Sequence, residues 1–190
     1  MVVRDKKFFY IFLFTAEPFL VLVSFIILII MKKPFTNIFI CRINPVLQAV
    51  AGIGFGVLIA VPCVLFIYNN KIFSDVMDIF DELIGTFGLK IPDFIIVSAV
   101  AGICEEILFR ATLQPMFGVW LTSFIFILLH GYFNPKNWKI FLFGSLMFLI
   151  SVLIGLVYIW LGLYAAIVFH FTYDFLALFL VSFTSPKSAD

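Results

Sequence analysis

Six long apolar runs, at residues 8–31, 46–68, 92–114, 117–133, 139–160 and 162–183, decide what this chain can fold into. A bilayer span takes about 20 predominantly apolar residues. Five of the runs reach that length, and the fourth is short enough to tilt or to end at a water-accessible surface. Composition agrees: 64% of the 190 residues are hydrophobic, 12% are charged and 27 are Phe. A soluble domain has about half its residues apolar and a quarter charged, so the solvent for most of this surface is lipid. The expected fold class is all-α, a polytopic transmembrane helical bundle of about six helices. One membrane-embedded domain is expected over 1–190, with 92–183 as the core that carries the polar residues.

The first run, Phe8 to Met31, is too long for a signal-peptide core and has no small-x-small cleavage site after it. It reads as a retained transmembrane helix. Between the second and third runs, 70–90 holds Asp75, Asp78, Asp81 and Glu82, while Ile72, Phe73, Val76, Ile79, Phe80 and Leu83 recur at helical spacing. That pattern predicts an amphipathic helix at the membrane surface. Pro34, Pro45, Pro92 and Pro135 fall at the expected boundaries.

With six spans, Arg4, Lys6, Lys7, Lys71, Lys90, Lys136, Lys139 and Lys187 share one side, against Lys32, Lys33 and Arg42 on the other. The positive-inside rule then places both termini in the cytoplasm, in a cell membrane. A net charge of +1 without a basic tract argues against nucleic acid as a partner. Cys41, Cys63 and Cys104 match neither a disulfide framework nor a metal-binding spacing, and read as buried free thiols.

A charged side chain near the bilayer centre costs at least about 2.5–3.5 kcal/mol. The third, fourth and sixth runs break that rule. In the third, Glu106 and Arg110 stand four residues apart in the favourable acid-before-base order, each lowering the other's desolvation penalty. They read as a scaffold pair. Glu105 points about 100° away round the helix and has no local cation, so another helix must satisfy it. The fourth run ends at His130, with Phe126 one turn earlier, and the sixth sets His170 and Asp174 on one face. These are the chain's two histidines, and both lie in apolar spans. Convergence of Glu105, His130, His170 and Asp174 on one cavity is therefore expected.

The sequence has no HExxH, GxSxG or GxGD motif and no paired aspartates. What remains is a Glu and two His on separate helices. Such a carboxylate beside imidazoles can act as general base on a water, or the same groups can hold a divalent metal such as zinc that acidifies it. For a metal, Glu105, His130 and His170 are the candidate ligands, with Asp174 as a supporting partner or fourth ligand. Two other functions are compatible with the pattern: a non-catalytic membrane immunity or partner-binding protein, and a proton-coupled transporter. The absence of an inverted repeat disfavours the transporter.

Glu105-Glu106-x-x-x-Arg110, Phe126-x-x-x-His130 and His170-x-x-x-Asp174, in this order on successive apolar segments, resemble the three-motif pattern of the CAAX protease and bacteriocin-processing (CPBP, or Abi) family of intramembrane peptidases. The resemblance covers about half of the chain. It implies an endopeptidase acting on a membrane-anchored or membrane-embedded protein or peptide within the lipid bilayer. In that pattern Glu105 and His130 activate the attacking water, His170 and residue 174 stabilise the oxyanion, and Glu106 and Arg110 support the site. Members are commonly called metalloproteases. An ionised Asp174 would repel an oxyanion, so here it must be protonated, orient His170 or bind a cation.

Overall fold

The computed structural model describes residues 5–41 and 43–184, which are helical with short connections; Arg4, Arg42 and Lys187 of the charge count lie outside them. Among the described residues seven α-helices follow one another: α1 (Lys6–Ile30), α2 (Pro45–Tyr68), α3 (Ser74–Phe87), α4 (Ile91–Glu106), α5 (Gln114–Leu129), α6 (Trp138–Leu161) and α7 (Leu163–Thr184). A π-helical turn, Ile107–Leu113, joins α4 to α5. Large apolar side chains such as Phe12, Ile30, Trp120 and Leu129 are exposed, the surface of a protein solvated by lipid.

α1, α2, α6 and α7 are each long and apolar enough to cross a membrane. The six expected spans thus reduce to four, or five if the bent pair 71–87 and 91–129 makes one broken span. The difference lies in the third and fourth runs. Charges interrupt the third, and at Gly118 the backbone leaves the helix (φ 76°, ψ 169°), a conformation open to glycine and costly for other residues. The part of α5 beyond Gly118 is too short to span about 30 Å at 1.5 Å per residue.

Proline sits at the first or second position of α2, α4 and α5, where a missing N–H costs nothing. The stretch expected at the surface is α3. It lays Val76 into the bundle, with Phe73 buried just before it, and packs against α6 and α7. On its outer face Lys139 Nζ donates to Asp75 Oδ1 at 2.9 Å and holds that carboxyl below the usual carboxylate range.

α7 is the central helix, packed against α2, α4, α6 and α3. Glycines allow its backbone to be approached closely. A Cβ on Gly52 would come within 2.7 Å of the Ala165 carbonyl oxygen, and one on Gly56 within 2.5 Å of Thr172 Cβ. This is small-xxx-small packing, in which lipid-embedded helices gain contact by bringing backbones together. Gly102 does the same from α4: a Cβ there would meet Ile167 O and Phe171 N at 3.2 Å. Glu105 and Glu106, one turn further on, are thereby brought level with His170. Gly56→Leu is expected to push α2 off α7 at an overpacking cost of about 1–3 kcal/mol or more. Thermal unfolding in detergent should show a lower midpoint, and an unchanged midpoint would contradict this packing.

Candidate active site

Three elements converge. α4 ends at Glu105 and Glu106, α5 ends at His130, and α7 carries His170 and Asp174 at its middle. The π turn begins directly after Glu106; such turns are rare and often mark functional sites. Within it Arg110 is fully buried and Thr112 Oγ1 donates to Ile107 O.

Every nitrogen of the Arg110 guanidinium is hydrogen-bonded. Nε donates to Glu106 Oε2 at 3.0 Å, Nη1 to Ser123 Oγ at 3.2 Å and Gln114 Oε1 at 3.4 Å, and Nη2 to Ser151 Oγ at 2.7 Å. Gln114 Nε2 in turn donates to Gly155 O at 2.9 Å. One buried cation thus ties the π turn to α5 and α6. Glu106 is more than its ion-pair partner, because Glu106 Oε1 lies 2.8 Å from His170 Nδ1. The fully buried Glu106 therefore fixes the ring that the sequence alone paired with Asp174.

With a carboxylate on Nδ1, His170 turns Nε2 toward the other two acids: 3.2 Å to Asp174 Oδ2 and 3.6 Å to Glu105 Oε2. At 3.2 Å His170 Nε2 and Asp174 Oδ2 are close enough to share one proton, which either group can supply. His130 is fixed differently. Its Nδ1 is 2.8 Å from Phe126 O; a carbonyl only accepts, so that nitrogen carries the hydrogen. Nε2 then faces Glu105 Oε1 at 3.6 Å. The Phe126 ring lies 4.4 Å from the His130 ring and 6.1 Å, edge to face, from His170, with the Arg110 guanidinium carbon 5.8 Å from its centroid. It thus touches both imidazoles and the buried cation.

Glu105, His130, His170 and Asp174 line a cavity of about 270 Å³. Its other walls are mainly apolar, with Val76, Met77 and Phe80 of α3 among them. His130 retains 32% side-chain exposure against 9% for Glu105, so the imidazole stands at the more open edge. Every candidate site residue read from the sequence is in this cluster.

Zinc would need Glu105, His130 and His170 to converge within about 2.0–2.2 Å of one point. Among the described residues no group of three or more His, Cys, Asp or Glu is so arranged, and His170 is already engaged at both nitrogens. The side chains as they stand do not fit a metal centre.

Sequence reasoning passed over Ser123, Ser151 and Gln114, polar residues in apolar runs that a search for hydrogen-bonding partners would have flagged. It also passed over Glu17. That charge lies inside the first run, where the same cost argument applies, and Glu105, His130, His170 and Asp174 are its charged neighbours.

Residues 87–176 match the family model "Type II CAAX prenyl endopeptidase Rce1-like". That segment runs from the end of α3 into α7 and includes the whole cluster except Glu17. The chain is also 38% identical over 86 residues to "Uncharacterized protein YpbD" of Bacillus subtilis (strain 168), a match covering 45% of this chain and 43% of that protein. The chain thus spans less than half the length of that relative. No solved structure matches.

Proposed function

We propose, from the match of residues 87–176 to the model of Rce1-like type II CAAX prenyl endopeptidases, that this integral membrane protein is an endopeptidase using Glu105 as general base. The observation that carries the reading is the placing of Glu105. Its two oxygens lie 3.6 Å from the Nε2 atoms of both histidines, at the polar end of an apolar cavity. That spacing is too long for a direct hydrogen bond. A water at about 2.8 Å from each group fits beside Glu105 and His130.

In this mechanism the water donates one hydrogen to Glu105 and the other to the free Nε2 lone pair of His130, which aims its oxygen at the substrate carbonyl. Attack forms the new C–O bond as Glu105 takes the proton. His170, held by Glu106 and carrying or sharing the proton at Nε2, donates toward the oxyanion. Asp174 orients that donor. When the C–N bond breaks, Glu105 returns its proton to the leaving amine.

The substrate is a membrane-anchored or membrane-embedded protein or peptide whose apolar part enters the cavity. With four spans both termini lie on one side, and the positive-inside rule makes it the cytoplasmic side of a cell membrane, the side carrying Lys6, Lys7, Lys71, Lys90, Lys136 and Lys139. The test is cleavage of a library of membrane-anchored peptides by purified protein in lipid, with and without a chelator, beside His130→Ala. Product is expected from the wild type with chelator present, and about a hundredfold less from His130→Ala, within the range for a lost proton-transfer partner. Loss of activity with chelator would replace the base mechanism by a metal-assisted one.

A further inference from the structure

α1 runs parallel to α4. Lys6 and Tyr10 both donate to Asp93 at the start of α4, and Ser24 hydrogen-bonds Thr112 in the π turn. Glu17 lies halfway between Tyr10 and Ser24, which sets it alongside the end of α4 where Glu105 stands. Its strongest charged neighbours are Glu105, His170, His130 and Asp174. None of them is a permanent cation.

Glu17 Oε2 is shut off from solvent, and among the described residues it has no hydrogen-bond partner. The next residue, Pro18, lies inside the helix and has no N–H to give the Phe14 carbonyl. This turn of α1 therefore offers acceptors that lack donors. Glu17 is also absent from the walls of the apolar cavity, which Glu105 does line. Glu105 thus stands between an apolar chamber and Glu17, a residue only partly buried whose carboxylate keeps one oxygen without a donor.

The charge inventory points the same way. Arg110 is consumed by Glu106, so Glu17, Glu105 and Asp174 remain against two imidazoles. Each imidazole is cationic only when it holds a second proton. A ligand bringing positive charge gains on entry, whereas one bringing negative charge meets repulsion.

We infer that Glu17 is a specificity-determining residue of this site, which accepts a cationic group, a Lys or Arg side chain or a free amine, on the part of the substrate that lies outside the apolar cavity. The inference rests on the peptidase reading for the identity of the ligand as a peptide. It depends on no step of the reaction.

The test uses one membrane-anchored apolar peptide made with Lys, norleucine or Glu at successive positions through the segment. Binding is measured to His130→Ala protein in lipid, which keeps all three carboxylates and slows cleavage. With Lys at its best position, binding should be at least about tenfold tighter than with norleucine, as for a hydrogen bond to a charged group. Adding Glu17→Gln should bring that ratio to about one, and adding Glu17→Lys should turn the preference toward the Glu peptide. Equal binding of Lys and norleucine peptides, or a Lys preference that survives Glu17→Gln, would overturn the inference. Cleavage by wild type is followed in parallel. Product with no charge preference in binding removes the inference and leaves the peptidase; a Glu17-dependent preference without product does the reverse.

Discussion

Glu105→Gln is expected to lower peptide cleavage by about a thousandfold, within the range for loss of a general acid–base group, while the protein stays folded. The amide is nearly isosteric, and Glu105 makes no direct hydrogen bond at 3.6 Å from either histidine. Little packing or pairing is therefore lost. What disappears is the group that takes a proton from the attacking water and returns it to the leaving amine. The rate is read as product formed in lipid, and folding as an unchanged unfolding midpoint. A variant that unfolds earlier would mean that Glu105 is structural.

Arg110→Met should behave in the opposite way, with a large loss of stability and loss of activity as its consequence. The substitution keeps much of the side chain's bulk but leaves Glu106 buried without its cation. Breaking a buried pair from one side costs about 3–5 kcal/mol. Ser123, Ser151 and Gln114 each lose a donor, and the imidazole of His170 loses the fixed charge behind Glu106. The double change Glu106→Gln with Arg110→Met should recover part of the stability, since no uncompensated charge remains. It should recover no cleavage, because an amide in place of the Glu106 carboxylate cannot hold the His170 ring as the charged group does. Unfolding in detergent and product formation, measured on both variants, separate these effects; a single variant as stable as wild type would contradict the buried network.

Helical spacing made the local pairs legible. Glu106 with Arg110 and His170 with Asp174 are each one turn apart, and each pair is made, at 3.0 and 3.2 Å. The cost of intramembrane charge was enough to select Glu105, His130 and His170. What spacing cannot show is which long-range partner a side chain takes. Glu106 reaches His170 across a helix interface set by Gly102 against α7, and no periodicity in 92–114 encodes that approach. The π turn was hidden for a related reason, as its residues are ordinary helix formers and its stability comes from the Arg110 network around it. Gly118, in a run of apolar residues, could have signalled the break that leaves the fourth run short. The amphipathic pattern of 70–90 foretold a helix and its apolar face, but not that this face would line the cavity that holds Glu105, His130, His170 and Asp174. Glu17 was within reach of the same argument that found Glu105, and lay in a run otherwise read only for its length.

The measurement that bears most directly on the central claim is intact-mass detection of cleavage products in lipid from wild type, Glu105→Gln and Cys104→Ser, at equal folded concentrations. Wild type and Cys104→Ser should give the same pair of fragments, together heavier than the substrate by one water, and Glu105→Gln should give almost none. Fragments from Glu105→Gln at the wild-type rate would contradict a Glu105 base, and their loss in Cys104→Ser would move the chemistry to the neighbouring thiol.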